Sequence, residues 1–96
     1  MHHPPSHPGE FISGTYLEPN NISGREPAKA LGVAASTLSQ VLSGASRVTP
    51  EMALRLSRAL GRSPESWLAM QDAHDLWIAR QHVDLQNVDE LQFAVA

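Results

Sequence analysis

The stretch that decides the fold reads SGREPAKALGVAASTLSQVLSG and covers residues 23–44. Ser23, followed three residues later by Glu26, predicts a capping box at the start of a first helix. Gly32 can take the left-handed conformation that ends a helix at low steric cost. A second short helix follows directly. Two short helices joined at a glycine are the layout of a helix-turn-helix.

The second helix of this pair has two chemically different faces. Leu38, Val41 and Leu42 stand at i, i+3 and i+4 and predict one buried stripe. The opposite face carries short or hydrogen-bonding side chains that suit base edges, and a glutamine can pair bidentately with adenine. The predicted base contacts are Ala35, Ser36, Thr37, Ser39 and Gln40. A helical hairpin with a solvated Ser/Thr face is the alternative, but the full set of spacings is demanding and favours DNA binding.

Charge is distributed unevenly along the chain. The net charge of −3 argues against a general polyanion binder. Residues 23–47 and 48–62 each carry +2, whereas residues 1–22 carry −2 and residues 63–96 carry −5. The basic middle could face phosphate, and the acidic last third suits a basic protein partner or simply solubility. The predicted phosphate contacts are Arg25, Lys29, Ser43 and Arg47.

Helix signals recur on both sides of this stretch. A first helix is predicted from Pro8 to about Glu18, where Pro19 stops it. Thr49-Pro50-Glu51 and Ser63-Pro64-Glu65 each place a cap, a proline and an acid at a helix start. The buried stripe of the helix after Thr49 is predicted to be Met52, Ala53, Leu56, Ala59 and Leu60. Its basic row, Arg55, Arg58 and Arg62, is either a solvated face or a contact with phosphate or a partner.

The last helix, predicted to reach about His82, has more apolar residues than one core seam needs. Trp77 and Ile78 are therefore predicted to lie in a homodimer or partner interface. Residues 83–96 alternate weakly between apolar and polar. They could form a short helix capped by Asn87, an added strand or an unfolded tail.

Several classes of protein are excluded by composition and motifs. Ninety-six residues suffice for one domain, and the absence of cysteine rules out disulfides and cysteine-ligated zinc. No apolar run could span a bilayer and no signal-peptide pattern is present, so we expect a cytoplasmic protein. We find no catalytic constellation and no cofactor motif, and the histidines outside residues 1–7 lack partners at metal-ligand spacing, so an enzyme is the least favoured class.

The chain resembles the HigA-type antitoxins, a branch of the Cro/C1 (XRE) helix-turn-helix family. The likeness covers about residues 7–82 and is carried by His7–Glu10, Phe11, Leu17–Pro19, Ala28–Val33, Leu38–Ser39, Leu42–Gly44, Thr49–Leu56, Ser63–Glu65, Trp67–Leu68 and Gln71. This resemblance implies an all-α, lambda-repressor-like bundle of five helices with a C-terminal extension. It also implies a dimer that neutralises HigB, a ribosome-associated mRNA endonuclease toxin, and represses its own operon.

Three residues depart from the family's pattern. Pro27 replaces a packing Leu or Phe and, near the fourth helical position, is expected to cost a backbone bond. Ala34 replaces the usual Ser or Thr cap of the second helix. Gly14 replaces a helix former. The expected division is a flexible N-terminus over 1–7, a DNA-binding domain over 8–82 and an extension over 83–96.

Two other functions fit the same fold. The chain could be a stand-alone or phage-type repressor without a toxin, or a protein-binding module that has lost DNA binding. The net acidity and the departures at Pro27 and Ala34 are the features that point to the second alternative.

Overall fold

The computed structural model describes residues 4–93, which form five helices and no strand. The helices are α1 (Pro8–Ile12), α2 (Arg25–Leu31), α3 (Ala35–Leu42), α4 (Pro50–Leu60) and α5 (Pro64–His82). α1 continues as a π-helical turn over Ser13–Leu17 and a 3-10 turn over Glu18–Asn20. The predicted all-helical fold is confirmed.

The core lies where α4 and α5 meet and where α1 and α2 pack against α3. Trp67 is fully buried at its centre, and its indole Nε1 donates to the Gly61 carbonyl oxygen at 3.0 Å. The Phe11 ring meets the Trp67 ring edge-on, with centroids 5.9 Å apart. The buried apolar residues are Ile12, Leu17, Ala28, Leu31, Leu38, Val41, Val48, Met52, Ala53, Leu56 and Trp67.

Close approach of α1 to α3 depends on a glycine. A Cβ at Gly9 would collide with the carbonyl oxygen of Val41 and lie 2.7 Å from Cα of Leu42. Any larger residue would push the two helices apart. α1 therefore supports the buried side of α3.

The described part of the N-terminal segment, residues 4–7, contacts α1 and α5, whereas the sequence predicts a flexible N-terminus over 1–7. Residues 1–3 lie outside the described residues, but His7 is buried and its Nδ1 accepts from the Gly9 N–H at 2.9 Å. Nδ1 of His74 lies 2.9 Å from the Pro5 carbonyl oxygen. The rings of His7 and His74 meet edge-on, with their centroids 5.1 Å apart. Contacts with α5 thus hold this segment in place.

The start of α2 differs from the prediction. The capping box of Ser23 and Glu26 is wrong, because α2 begins at Arg25 with Gly24 as its cap and without a side-chain cap bond. The Gly24 carbonyl accepts the first helical bond, from Ala28 N–H at 3.2 Å. Pro27 is consequently at the third helical position, where the N–H of any other residue would have no partner within the helix. The expected loss of a backbone bond at Pro27 is also wrong.

The first helical segment ends later than predicted. Pro19 lies inside the 3-10 turn, where its missing N–H is tolerated, and the turn ends at Asn21 in the left-handed region with φ of 54°. Gly14 lies in the π-helical turn, and open space surrounds the position of its absent Cβ. The segment therefore runs two residues beyond Glu18.

The starts of α4 and α5 are confirmed. Thr49 Oγ1 accepts from the Met52 N–H at 3.2 Å, and Ser63 Oγ accepts from the Ser66 N–H at 3.1 Å. Met52, Ala53 and Leu56 are buried as predicted, and Leu60 is half-buried.

Ala59 is exposed, so its predicted burial is wrong. It lies on an open apolar groove of about 270 Å³ together with Ala30 and Pro27. These short side chains leave the groove unfilled, and a larger residue in place of Pro27 would cover it.

The C-terminal extension, described to residue 93, forms neither a helix nor a strand. The Val83 N–H donates to the Ala79 carbonyl at 2.8 Å and closes α5, after which every described residue is exposed. The Asn87-capped helix and the added strand are therefore absent over residues 83–93. The exposed large apolar residues of this segment are Val83, Leu85, Val88, Leu91 and Phe93.

Candidate nucleic-acid interface

α3 presents one buried and one exposed face. Leu38 and Val41 are buried against the core, and Leu42 is half-buried. The predicted base contacts all lie on the exposed side: Ala35, Ser36, Thr37, Ser39 and Gln40. This side of the helix is available to a partner and offers hydroxyl and amide groups of the kind that contact base edges.

The turn between α2 and α3 is held by an arginine of α4. Gly32 takes the left-handed conformation with φ of 74°, as the sequence predicts. Arg55 Nη1 donates to the carbonyl oxygens of Leu31 at 2.8 Å and Gly32 at 3.4 Å. These carbonyls end α2 and lack helical partners. Arg55 therefore fixes the angle at which α3 leaves α2.

The N-terminus of α3 lacks a side-chain cap. Ala34 is the N-cap residue, with extended backbone angles, and no side chain bonds the first-turn N–H groups. The alanine that the sequence places where the family usually has a Ser or Thr cap is thus the N-cap residue, as predicted.

Gln40 is held by the loop that follows α3. Its Oε1 accepts from Ser46 Oγ at 3.1 Å, while its backbone carbonyl accepts from Ser43 Oγ at 3.2 Å. The amide therefore already has a defined direction before any base is bound. Ser46 belongs to none of the motifs found in the sequence, so the sequence does not predict its contact with Gln40.

The predicted phosphate contacts occupy three parts of the helix pair. Arg25 and Lys29 are exposed on α2, Ser43 caps the end of α3, and Arg47 lies in the loop before α4. All four are exposed. A surface depression beside α3 contains both Thr37 and Arg47, which brings a predicted base contact and a predicted phosphate contact together.

Arg47 is paired with acids of α5. Its Nη2 lies 2.8 Å from Asp75 Oδ2 and 3.6 Å from Asp72 Oδ1. The hydrogen bond between them raises the pKa of Arg47 and lowers the pKa of Asp75, so both groups stay charged. The sequence places Arg47 free at the end of α3 and does not indicate this ion pair.

Gln71 links the same loop to α5. It is buried, and its Oε1 accepts from the Val48 N–H at 2.7 Å while its Nε2 donates to Asp75 Oδ1 at 3.0 Å. One side chain thus satisfies a buried backbone donor and orients the carboxylate that meets Arg47. Gln71 is one of the residues that carry the family resemblance, but its place in the sequence does not indicate its contacts with Val48 and Asp75.

The basic row that begins on α4, with Arg62 two residues beyond the end of the helix, divides between different contacts. Arg55 supports the turn and also lies 3.6 Å from Glu51. The guanidinium of Arg62 lies over the rings of Phe11 at 5.1 Å and Trp67 at 5.9 Å. Arg55 and Arg62 therefore make contacts within the chain. The sequence predicts neither contact, because it offers only a solvated face or a contact with phosphate or a partner.

The predicted interface residues lie on the second half of α5. Trp77 is 38% exposed and Ile78 is 39% exposed, and the neighbouring Leu76 is 52% exposed. Consecutive residues point about 100° apart on an α-helix, so Leu76 and Ile78 lie on either side of Trp77. The exposed apolar surface centred on Trp77 is of the kind that a partner covers.

Among the described residues, no helix is both long enough and apolar enough to cross a membrane.

Comparison with known proteins identifies relatives of this fold and site. The helix-turn-helix family matches residues 15–67, which include α2, α3 and α4. An uncharacterized HTH-type transcriptional regulator of Escherichia coli K12, YddM, is 42% identical over 84 residues and aligns with 88% of both chains. The antitoxin HigA-1 of Vibrio cholerae is 40% identical over 72 residues, or 75% of this chain and 68% of that protein.

A solved structure extends the similarity to the whole chain. The antitoxin GraA, solved in complex with its operator, superposes with a TM-score of 0.80 at 36% sequence identity. The match covers 100% of this chain and 99% of GraA. The family of these proteins consists of DNA-binding regulators and antitoxins, and it is not a known class of enzyme.

Proposed function

Because this chain belongs to the helix-turn-helix family, and within it to the HigA-type antitoxins, we propose that it represses its own operon and neutralises a HigB-like toxin. The observation that carries this proposal is the exposed polar face of α3, which Gly32 and Arg55 hold at a fixed angle to α2. A rigid helix with an open polar face is what insertion into a major groove requires. Both partners would be met in the cytoplasm.

The residues of the interface divide into two roles. The base readers are Ala35, Ser36, Thr37, Ser39 and Gln40. The phosphate contacts are Arg25, Lys29, Ser43 and Arg47. Phosphate contacts position the protein on any duplex, whereas contacts with base edges distinguish sequences. Gln40 exchanges its bond to Ser46 for a bidentate pair with adenine when the groove is occupied.

Substitution of Gln40 and Arg47 tests the DNA-binding half of the proposal. We expect Gln40→Ala to relax sequence preference by about 1–3 kcal/mol at one base pair. We expect Arg47→Ala to weaken binding to all sequences alike and to lower the slope of log K against log salt by about 1. Titrations of the operator and an unrelated duplex at several salt concentrations measure both effects.

The control is Gln92→Ala, which makes the same chemical change as Gln40→Ala at an exposed site in the extension. It should leave binding to the operator nearly unchanged. Equal losses for the operator and for random DNA in both Gln40→Ala and Arg47→Ala would show that the two roles are wrongly assigned. Binding of the wild-type chain to all duplexes alike would overturn operator recognition itself.

Recognition of a toxin is supported by the match to HigA-1 and by the charge of −5 over residues 63–96, which suits a basic partner. Co-expression with the neighbouring gene tests it. A small basic protein should co-purify with this chain, and its arrest of growth should be relieved. Failure of both would favour a stand-alone repressor, a possibility supported by the 42% identity to the regulator YddM.

A further inference from the structure

We propose that Asp75 competes with DNA phosphate for Arg47 and so lowers the affinity of the α3 face for every duplex. The inference depends on the proposed DNA binding and adds a residue of α5 that sets its strength. In the free protein, Arg47 Nη2 donates to Asp75 Oδ2 at 2.8 Å. A phosphate that takes this donor must displace the carboxylate or lie beside it.

The carboxylate is held in place on its other side. Gln71 donates from Nε2 to Asp75 Oδ1 at 3.0 Å, which leaves Oδ2 directed to Arg47. Gln71 is itself fixed, because it is buried and accepts from the Val48 N–H at 2.7 Å. Val48 is fully buried and is the residue after Arg47, so the backbone beside Arg47 is anchored as well. The pair is therefore preorganised, unlike an ordinary surface ion pair between two freely moving side chains.

Arg47 stands between two surface depressions. One contains Thr37 of α3, and the other contains His74 and Asp75 of α5. The guanidinium thus borders both the predicted DNA face and the acidic side of α5. It can exchange one anion for another without a change in the fold.

The acids stay accessible to solvent, which limits the size of the effect. The side chain of Asp75 is 43% exposed and that of Asp72 is 68% exposed. Water and salt therefore screen their attraction to Arg47. The competition should be modest at low salt and smaller still as salt rises.

Asp75→Asn tests the inference, because the amide keeps an oxygen for Gln71 but removes the negative charge. We expect affinity for the operator and for an unrelated duplex to rise by about two- to fivefold at low salt. The rise should disappear in an Arg47→Ala background, since no cation then remains to be released. Asp72→Asn, which leaves the bonds of Gln71 intact, should give a smaller rise. Asp89→Asn in the extension is the control for a general loss of acidity.

Each outcome of this double-mutant cycle counts for or against the inference. An unchanged or reduced affinity in Asp75→Asn, with a wild-type melting temperature, would overturn it. A rise that persists in the Arg47→Ala background, or one that Asp89→Asn reproduces, would mean a general charge effect and would also overturn it. Failure of the wild-type chain to prefer its operator would instead contradict the proposed function.

Discussion

At the scale of single residues, the polar side chains that link separate parts of this fold bond to residues far away in the sequence. Gln71 bonds the backbone of Val48, 23 residues away in sequence, and His74 meets Pro5, 69 residues away. Local periodicity cannot show such contacts, because it reports which face of a helix a residue is on and not what packs there. The exposed polar face of α3 could be predicted because its signal lies within that helix. The pairing of Arg47 with Asp75 could not.

His7 makes stability depend on pH. Burial, and then the nearby His74, lower the pKa of His7 below 6.5, although Asp75 and Glu10 partly oppose them. As pH falls, the unfolded chain takes up the proton before the folded chain, so stability is lost below about pH 6.5. Protonation would also remove the acceptor for the Gly9 N–H and place a cation at the N-terminus of α1.

His7→Asn should keep the cap and remove this dependence, because an asparagine oxygen can also accept from the Gly9 N–H. We expect the free energy of unfolding to fall less between pH 7.5 and pH 5.5 in His7→Asn than in the wild type. Urea denaturation at the two pH values measures this. His82→Asn, at an exposed site, should retain the wild-type dependence. The same fall in His7→Asn as in the wild type would show that His7 is not responsible.

At the scale of elements, helix starts with a proline in the first turn and a hydroxyl cap were predicted correctly. Thr49 and Ser63 begin α4 and α5 as expected. Ser23 does not cap α2, because the Gly24 carbonyl accepts the first helical bond and the helix starts one residue later. Sequence spacing alone could not choose between these neighbouring caps. The π-helical turn after α1 has no signal in the sequence that we recognise.

Ala34→Ser should stabilise α3 by supplying its missing cap. A serine oxygen at the N-cap can accept from an N–H of the first turn, and such a cap is worth about 1 kcal/mol. We expect the free energy of unfolding to rise by that amount in urea denaturation. Ala45→Ser makes the same change in the exposed loop after α3 and should have little effect. Equal effects of the two substitutions would contradict a capping mechanism.

At the scale of the whole molecule, the distribution of charge can be predicted from the sequence, but the contacts between the charged regions cannot. The basic middle and the acidic last third were evident in the sequence, and the structure brings them into contact where Arg47 meets Asp72 and Asp75. The weak alternation of the extension does not distinguish a helix, a strand and an unfolded tail. In the structure, residues 83–93 are exposed and form no helix or strand. When the apolar residues of a segment do not pack in the core of their own chain, the secondary structure of that segment cannot be predicted from the sequence of the chain alone.

The apolar patch on α5 predicts a dimer. Trp77 is exposed, with Leu76 and Ile78 on either side of it around the helix. A twofold dimer centred on Trp77 would cover this side chain and present two α3 helices to a twofold operator. Sedimentation of the wild type should give twice the chain mass of 10.4 kDa. Trp77→Asp should give the single-chain mass, because a buried unpaired carboxylate would destabilise the interface.

Leu54→Asp is the matched control, since Leu54 on α4 is 62% exposed and has the same apolar character. It should leave the dimer intact. The monomeric Trp77→Asp variant should retain its helices but bind the operator more weakly, because each half-site would then be bound by a separate chain. A dimer that survives Trp77→Asp would place the interface elsewhere, and dissociation by Leu85→Asp would then locate it on the extension.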